Sequence, residues 1–99
     1  MSFGLTESDW KEVDRLAIQP LQLAGATVYV FGSRARGDHR QNSDLDLLFE
    51  MKDKLKLFEL GSIKDALEDS SIPVKVDLVD LDDVAESYLK GILKDRVKL

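Results

Sequence analysis

The 99-residue sequence has no cysteine, which excludes a disulfide framework, a zinc knuckle and a thiol nucleophile. It lacks an excess of positive charge as well: 14 Lys and Arg stand against 19 Asp and Glu, a net charge of −5. Phosphate contacts dominate nucleic-acid affinity, so an acidic chain is a poor general nucleic-acid binder and a better holder of divalent cations. Long apolar runs are missing: the longest are a few residues, against the roughly 20 needed to cross a bilayer. The first nine residues, Met1 to Asp9, carry no basic start followed by an apolar core, and no lipidation pattern is present. No membrane association is expected, and the expected location is the cytoplasm. Neither a repeat nor a Pro/Gly/Ser-rich linker divides the chain, and 43% hydrophobic with 33% charged residues suits a globular protein. One domain over residues 1–99, with one modest core, is expected.

The apolar pattern alternates between helical and strand periods. Trp10, Val13, Leu16, Ala17, Leu21 and Ala24 recur at steps of three and four, which predicts an amphipathic helix capped by Thr6. Pro20 should kink that helix or end it early, and Gly25 closes it. Residues 27–31, TVYVF, are β-branched and aromatic throughout and predict a strand. Gly32 and Gly37 bracket a short turn with room for one helical turn from Ser33. In residues 44–50, DLDLLFE, period two puts Leu45, Leu47 and Phe49 on one face and Asp44, Asp46, Leu48 and Glu50 on the other.

Leu57, Leu60, Ile63 and Leu67 predict a second long helix. A third strand follows Pro73, with Val74, Val76 and Leu78 facing one way and Lys75, Asp77 and Val79 the other. A last helix follows, with an Asp83/Glu86 capping box and a stripe of Val84, Tyr88 and Ile92. The fold class is α/β (α+β): helix, strand, short helix, strand, helix, strand, helix. The short link between the first two strands suits an antiparallel pair, and the helical crossover a parallel one. A mixed three-stranded sheet with helices on one face results, its other face open and carrying Asp44, Asp46 and Asp77.

Aspartates at i and i+2 on a strand point the same way, with Cα atoms about 6.5–7 Å apart, and a third carboxylate lies across the roughly 4.8 Å strand spacing. Three such charges repel each other unless cations lie between them. All-oxygen ligands suit Mg2+, or Mn2+, and two ions sharing carboxylates can clamp the attacking and leaving oxygens of phosphoryl transfer. Upstream, Gly32-Ser33 follows a strand. The glycine lets backbone pass close to a ligand, the Ser33 hydroxyl adds a donor, and Arg34 and Arg36 add positive charge at the same edge. One half of the pattern suits a polyphosphate and the other suits the metals that a polyphosphate chelates.

With these motifs in place (residues 32–37 GSRARG, 43–47 SDLDL and 76–80 VDLVD), the chain resembles the DNA polymerase β-type nucleotidyltransferase superfamily, and within it the minimal nucleotidyltransferases. The likeness runs from the first helix to the last residues. It implies that Gly32 and Ser33 hold the triphosphate, that Asp44 and Asp46 bind metals, and that Asp77 completes the cluster near the attacking hydroxyl. It also implies ATP as substrate and AMP transfer to a hydroxyl with release of pyrophosphate. The implied acceptor is a tyrosine of a HEPN-domain toxin, which makes the protein an antitoxin and the partner a toxin. Transfer to a small molecule, or neutralisation of the partner by binding alone, are the alternatives. No length remains for a second domain to grip a base or an acceptor.

Other polar residues have plainer readings. Asp80 shares the face of Val76 and Leu78 and belongs to the turn before the last helix. Asp38 and Ser43 serve loop geometry, His39 is a surface residue, and Lys75 pairs with a carboxylate. Trp10, Phe31, Phe49 and Phe58 are expected in the core, whereas Tyr29 and Tyr88 reach the surface without marks of reactivity.

Overall fold

Helix formation begins at Thr6, whose backbone is extended and whose hydroxyl accepts from the Asp9 amide at 3.1 Å. Such a cap contributes about 1 kcal/mol. In the computed structural model, which describes residues 2–51 and 57–99, three helical stretches follow without a break. These are α1 (Glu7–Val13), a π-helical turn (Asp14–Ile18) and α2 (Gln19–Leu23).

Pro20 therefore neither ends the helix nor acts alone. Its ring would collide with the carbonyl four residues back, and it has no N–H to offer. The π turn answers both problems: the Gln19 amide donates to Asp14 O, five residues back, and Pro20 then sits in the first turn of α2. The extra residue shifts the buried stripe. Ile18 joins Val13, Ala17 and Leu21 inside, while Ala24 falls outside. Gly25, at φ +98°, then closes the segment, with Ala26 N donating to Leu21 O and Gly25 N to Gln22 O.

Strands β1 (Thr27–Phe31) and β2 (Leu45–Glu50) pair antiparallel around the short helix α3 (Gly32–Arg36). The next elements are α4 (Leu57–Glu68) and β3 (Val76–Asp80), which lies parallel to β2. Both pairings agree with the connection lengths. The sheet has a fourth strand, β4 (Val97–Lys98), which corrects the expectation of three; the order is β3-β2-β1-β4. Two residues are too few to show alternation, so this strand is visible only through its pairing with Tyr29 and Val30.

The core lies between one sheet face and the first helices. Val28, Val30, Leu45 and Leu47 are fully buried there, and α4 adds Ile63. Phe49 joins them and Trp10 packs against the cluster, both as expected. Phe31 does not: it pairs with Asp46 and so shares the opposite face, where it is half-buried. The side chains of Leu57 and Phe58 lie outside the described residues.

That opposite face is not bare. Leu48 is fully buried, because the tight turn Leu81–Asp83 packs back onto β2. The Arg96 guanidinium covers Tyr29, 4.2 Å from its ring centre. Asp80 caps the tight turn by accepting from the Asp82 amide, as its face placement implied. The Asp83/Glu86 box is not formed. The acidic cluster serves this earlier turn, and α5 (Glu86–Asp95) begins after Ala85 with no side-chain cap. Among the described residues, no helix is long and apolar enough to cross a membrane.

Leu47→Ala should lower stability by about 2–5 kcal/mol, because its cavity opens in packed core, whereas Leu23→Ala at an 88% exposed position should cost under about 0.5 kcal/mol. Urea midpoints at unchanged m-values check both.

Candidate active site

The strand register brings the carboxylates together. Phe31 pairs with Asp46 across the antiparallel ladder, and Asp46 pairs with Asp77 across the parallel one. The last residue of β1 and the second residues of β2 and of the edge strand β3 thus meet at a single row. Asp44 precedes β2 by one residue and is exposed, while Asp46 is half-buried.

Gly32 closes that row. Its φ of +76° disfavours any side chain, and a Cβ there would strike the Asp46 carboxylate. Glycine is therefore required twice over, by backbone conformation and by the approach of Asp46. Helix α3 starts at this point, and half-buried Ser33 follows Gly32 in its first turn. Gly37, in the left-handed conformation, ends it with its amide on Ser33 O at 2.9 Å.

The electrostatics report the convergence directly. The Asp46 carboxyl is pushed up to about 6, first by burial, then by the negative charges of Asp77 and Asp44, with Arg36 opposing. Asp77 itself has the Lys75 ammonium 3.4 Å from Oδ1. Among the described residues no set of three His, Cys, Asp or Glu forms a ready-made metal cage. The donors are instead carboxylates whose mutual repulsion, with burial, raises the Asp46 carboxyl. Oxygen-only donors and unbalanced negative charge fit a hard divalent cation such as Mg2+, which could be held by Asp44, Asp46 and Asp77.

The two arginines divide. Arg34, expected at the phosphates, is buried and turned the other way. It donates to Phe3 O at 2.8 Å, Ser43 O at 3.0 Å and Gln41 O at 3.2 Å. A guanidinium carries five donors, and a buried one needs acceptors, which these loop carbonyls supply. Its work is to fasten the N-terminal segment and the 38–43 loop, so that Asp44 is delivered in position. Arg36 is exposed, bridges Asp38 (3.2 Å) and Asp95 (3.3 Å), and acts on Asp46 through its charge.

Ser43 and Asp38 serve the loop as expected: Ser43 Oγ accepts from the Arg40 amide at 2.8 Å, and Asp38 accepts from Arg36. His39 is not a free surface side chain. It is half-buried, and Gly4 can lie against it and Arg34 only because it has no Cβ. Nothing in the sequence pattern marks this packing, since the two segments are far apart along the chain.

The profile of the family described as "Polymerase beta, Nucleotidyltransferase" matches residues 24–99. Over 68 residues the chain is 35% identical to "Probable protein adenylyltransferase MntA" of Haemophilus influenzae, covering 69% of this chain and 60% of that protein's length. The chain thus spans less than two thirds of that relative. A solved minimal nucleotidyltransferase is 34% identical and superposes with a TM-score of 0.65, over 88% of this chain and 90% of its own. A chain from a mutant form of the toxin–antitoxin MntA–HpeT is 25% identical, with a TM-score of 0.65, covering 87% of this chain and 70% of its own.

Because the Asp46 carboxyl rises from 3.8 in the unfolded chain to about 6, the folded protein holds a proton between those values that the unfolded chain has released. The associated stability is whole below pH 4 and is lost as pH rises through 6. Asp46→Asn should therefore stabilise the metal-free protein at pH 7.5, by roughly 1 kcal/mol after screening at a half-exposed site, and much less at pH 4.5. Thermal unfolding at the two pH values checks this.

Proposed function

Since the chain belongs to the polymerase beta nucleotidyltransferase family, we propose that it transfers AMP from ATP to a protein hydroxyl, a tyrosine of a HEPN-domain toxin, and so serves in the cytoplasm as the antitoxin. The observation that carries this reading is the single row of Gly32, Asp46 and Asp77 set by the strand register. A relative designated a protein adenylyltransferase, and a toxin–antitoxin chain of the same fold, support the choice of reaction and partner.

The chemistry is in-line displacement. The acceptor oxygen bonds to the α-phosphorus, the bond to the bridging oxygen breaks, and pyrophosphate leaves. Ser33 and the turn at Gly32 bind and orient the triphosphate tail. The Asp77 carboxylate, on the edge strand, takes the hydroxyl proton as the acceptor closes in. Asp44, Asp46 and Asp77 would hold Mg2+, which would supply positive charge against the phosphates and favour the ionised form of Asp46. Arg36 adds positive charge that is felt at Asp46. Positioning and charge neutralisation carry most of the acceleration.

The protein acceptor suits an open site. Asp77 lies on an edge strand and lines a 530 Å³ groove bordered by Lys64, Ile72 and Lys75, where an approaching partner can complete the missing wall. The second reading, neutralisation by occlusion, draws on the exposed apolar side chains of Leu93 and Val97, which a bound partner would cover.

Incubating the wild type with the partner protein, ATP and Mg2+ should add 329 Da increments (the ~329 Da of an AMP unit) to a partner tyrosine by mass spectrometry, and the Asp44→Asn/Asp46→Asn variant should lower the rate by about a thousandfold or more. Neutralisation that persists at full strength in that variant, with no nucleotide incorporated by wild type, would establish occlusion instead.

A further inference from the structure

The row of Gly32, Asp46 and Asp77 runs across the strands and stops at β3, an outer strand of the sheet. Resting on the nucleotidyltransferase reading, we propose that the acceptor continues this row as one more strand. An extended segment of the partner protein pairs antiparallel with the open edge of β3 and sets its tyrosine opposite Asp77.

Hydrogen-bond direction defines that edge. Lys75 O accepts from the Leu45 amide at 2.9 Å, so the main-chain groups of Lys75 point toward β2. Direction alternates along a paired strand, so those of Asp77 also point inward, and those of Val76 and Leu78 point outward. Among the described residues no strand pairs with this outer side. An antiparallel newcomer would bond to Val76 and Leu78, leaving its intervening residue opposite Asp77 as a non-hydrogen-bonded pair. That is the closer of the two antiparallel pair types, with Cα atoms about 4.5 Å apart and side chains on one face. A tyrosine there shares the face of the carboxylates, and its long side chain carries the hydroxyl along the row toward Asp46 and Gly32.

Burial points to the same missing neighbour. Val76 and Leu78 pack against the core yet stay only half-buried, whereas Leu45 and Leu47, beside them on β2, are fully buried. Between this edge and the end of α4 runs the 530 Å³ groove, whose apolar lining includes Leu67, Ile72 and Val74. The residues just before and after the tyrosine turn into that groove, because neighbours on a strand alternate faces. Apolar side chains suit both positions. Two residues after the tyrosine, the antiparallel register faces Lys75, whose exposed ammonium lies 3.4 Å from Asp77 Oδ1. An acidic residue belongs there, since opposite charges across strands stabilise a pair and like charges weaken it. The edge therefore selects the sequence apolar-Tyr-apolar-acidic.

A heptapeptide of sequence Thr-Val-Val-Tyr-Val-Glu-Thr, blocked at both ends, is the probe. At millimolar peptide, amide exchange in the 15N-labelled full chain should slow about tenfold or more at Val76 and Leu78. An intermolecular NOE should join the Asp77 Hα to the tyrosine Hα, and ATP with Mg2+ should place AMP on the tyrosine. N-methylation of the two valines flanking the tyrosine removes the donors that face β3, and should abolish the protection and the transfer. N-methylation of the tyrosine nitrogen, which points away from β3, should abolish neither. Replacing the peptide's glutamate by lysine should raise KM about threefold or more, and Lys75→Ala should erase that preference. Unchanged exchange at Val76 and Leu78, transfer that survives methylation of both valines, or AMP on the partner protein but not on the bound peptide would overturn the edge pairing alone. A peptide-free chain that sediments as a dimer with both amides already protected would give the edge to a second copy and overturn it too. No AMP on the peptide or on the partner protein would overturn the nucleotidyltransferase reading, and the acceptor strand with it.

Discussion

The approach of the Asp46 carboxylate to the bare Cα of Gly32 is the constraint on which the site depends. It locks the end of β1 to the start of β2 and so sets the distance between the Gly32-Ser33 turn and the acidic pair. A side chain at residue 32 would displace Asp46, and a shift of β2 by one residue would send Asp46 into the core and Leu47 out of it. The hydrophobic alternation of β2 thus guards the chemistry: Leu45, Leu47 and Phe49 must be inside, so Asp46 must be outside, opposite Asp77.

This arrangement strains the metal-free protein. Partial burial, added to repulsion from Asp77 and Asp44, raises the Asp46 carboxyl to about 6. A fold selected for stability alone would place a neutral or paired residue there. Instead the surrounding structure is committed to holding the carboxylates in place. Arg34 spends its guanidinium on three loop carbonyls, and Lys75 attends Asp77.

Much of this was legible in the residues. The period of two in β2 and β3 placed Asp46 and Asp77 on one face, and Gly32-Ser33 after a β-branched strand marked the turn. The misses have local causes. Phe31 was expected in the core because it is aromatic, although its alternation with Val28 and Val30 already assigned it to the Asp46 face. Arg34 and Arg36 look equivalent in sequence, yet one is buried and the other exposed, because a helical turn of five residues points them in different directions. The π turn before Pro20 and the two-residue β4 leave no periodic signal at all. The Arg36–Asp95 pair joins residues 59 positions apart and exists only once α5 has packed beside α3.

The central claim is that a divalent cation belongs among these three carboxylates. Titrating the Asp46 carboxyl by 13C NMR with and without Mg2+ tests it most directly. The account predicts a midpoint of about 6 in the metal-free protein and a fall toward the ordinary aspartate range when Mg2+ is present. A midpoint that stays in place at saturating Mg2+, or one already ordinary without it, would contradict the account.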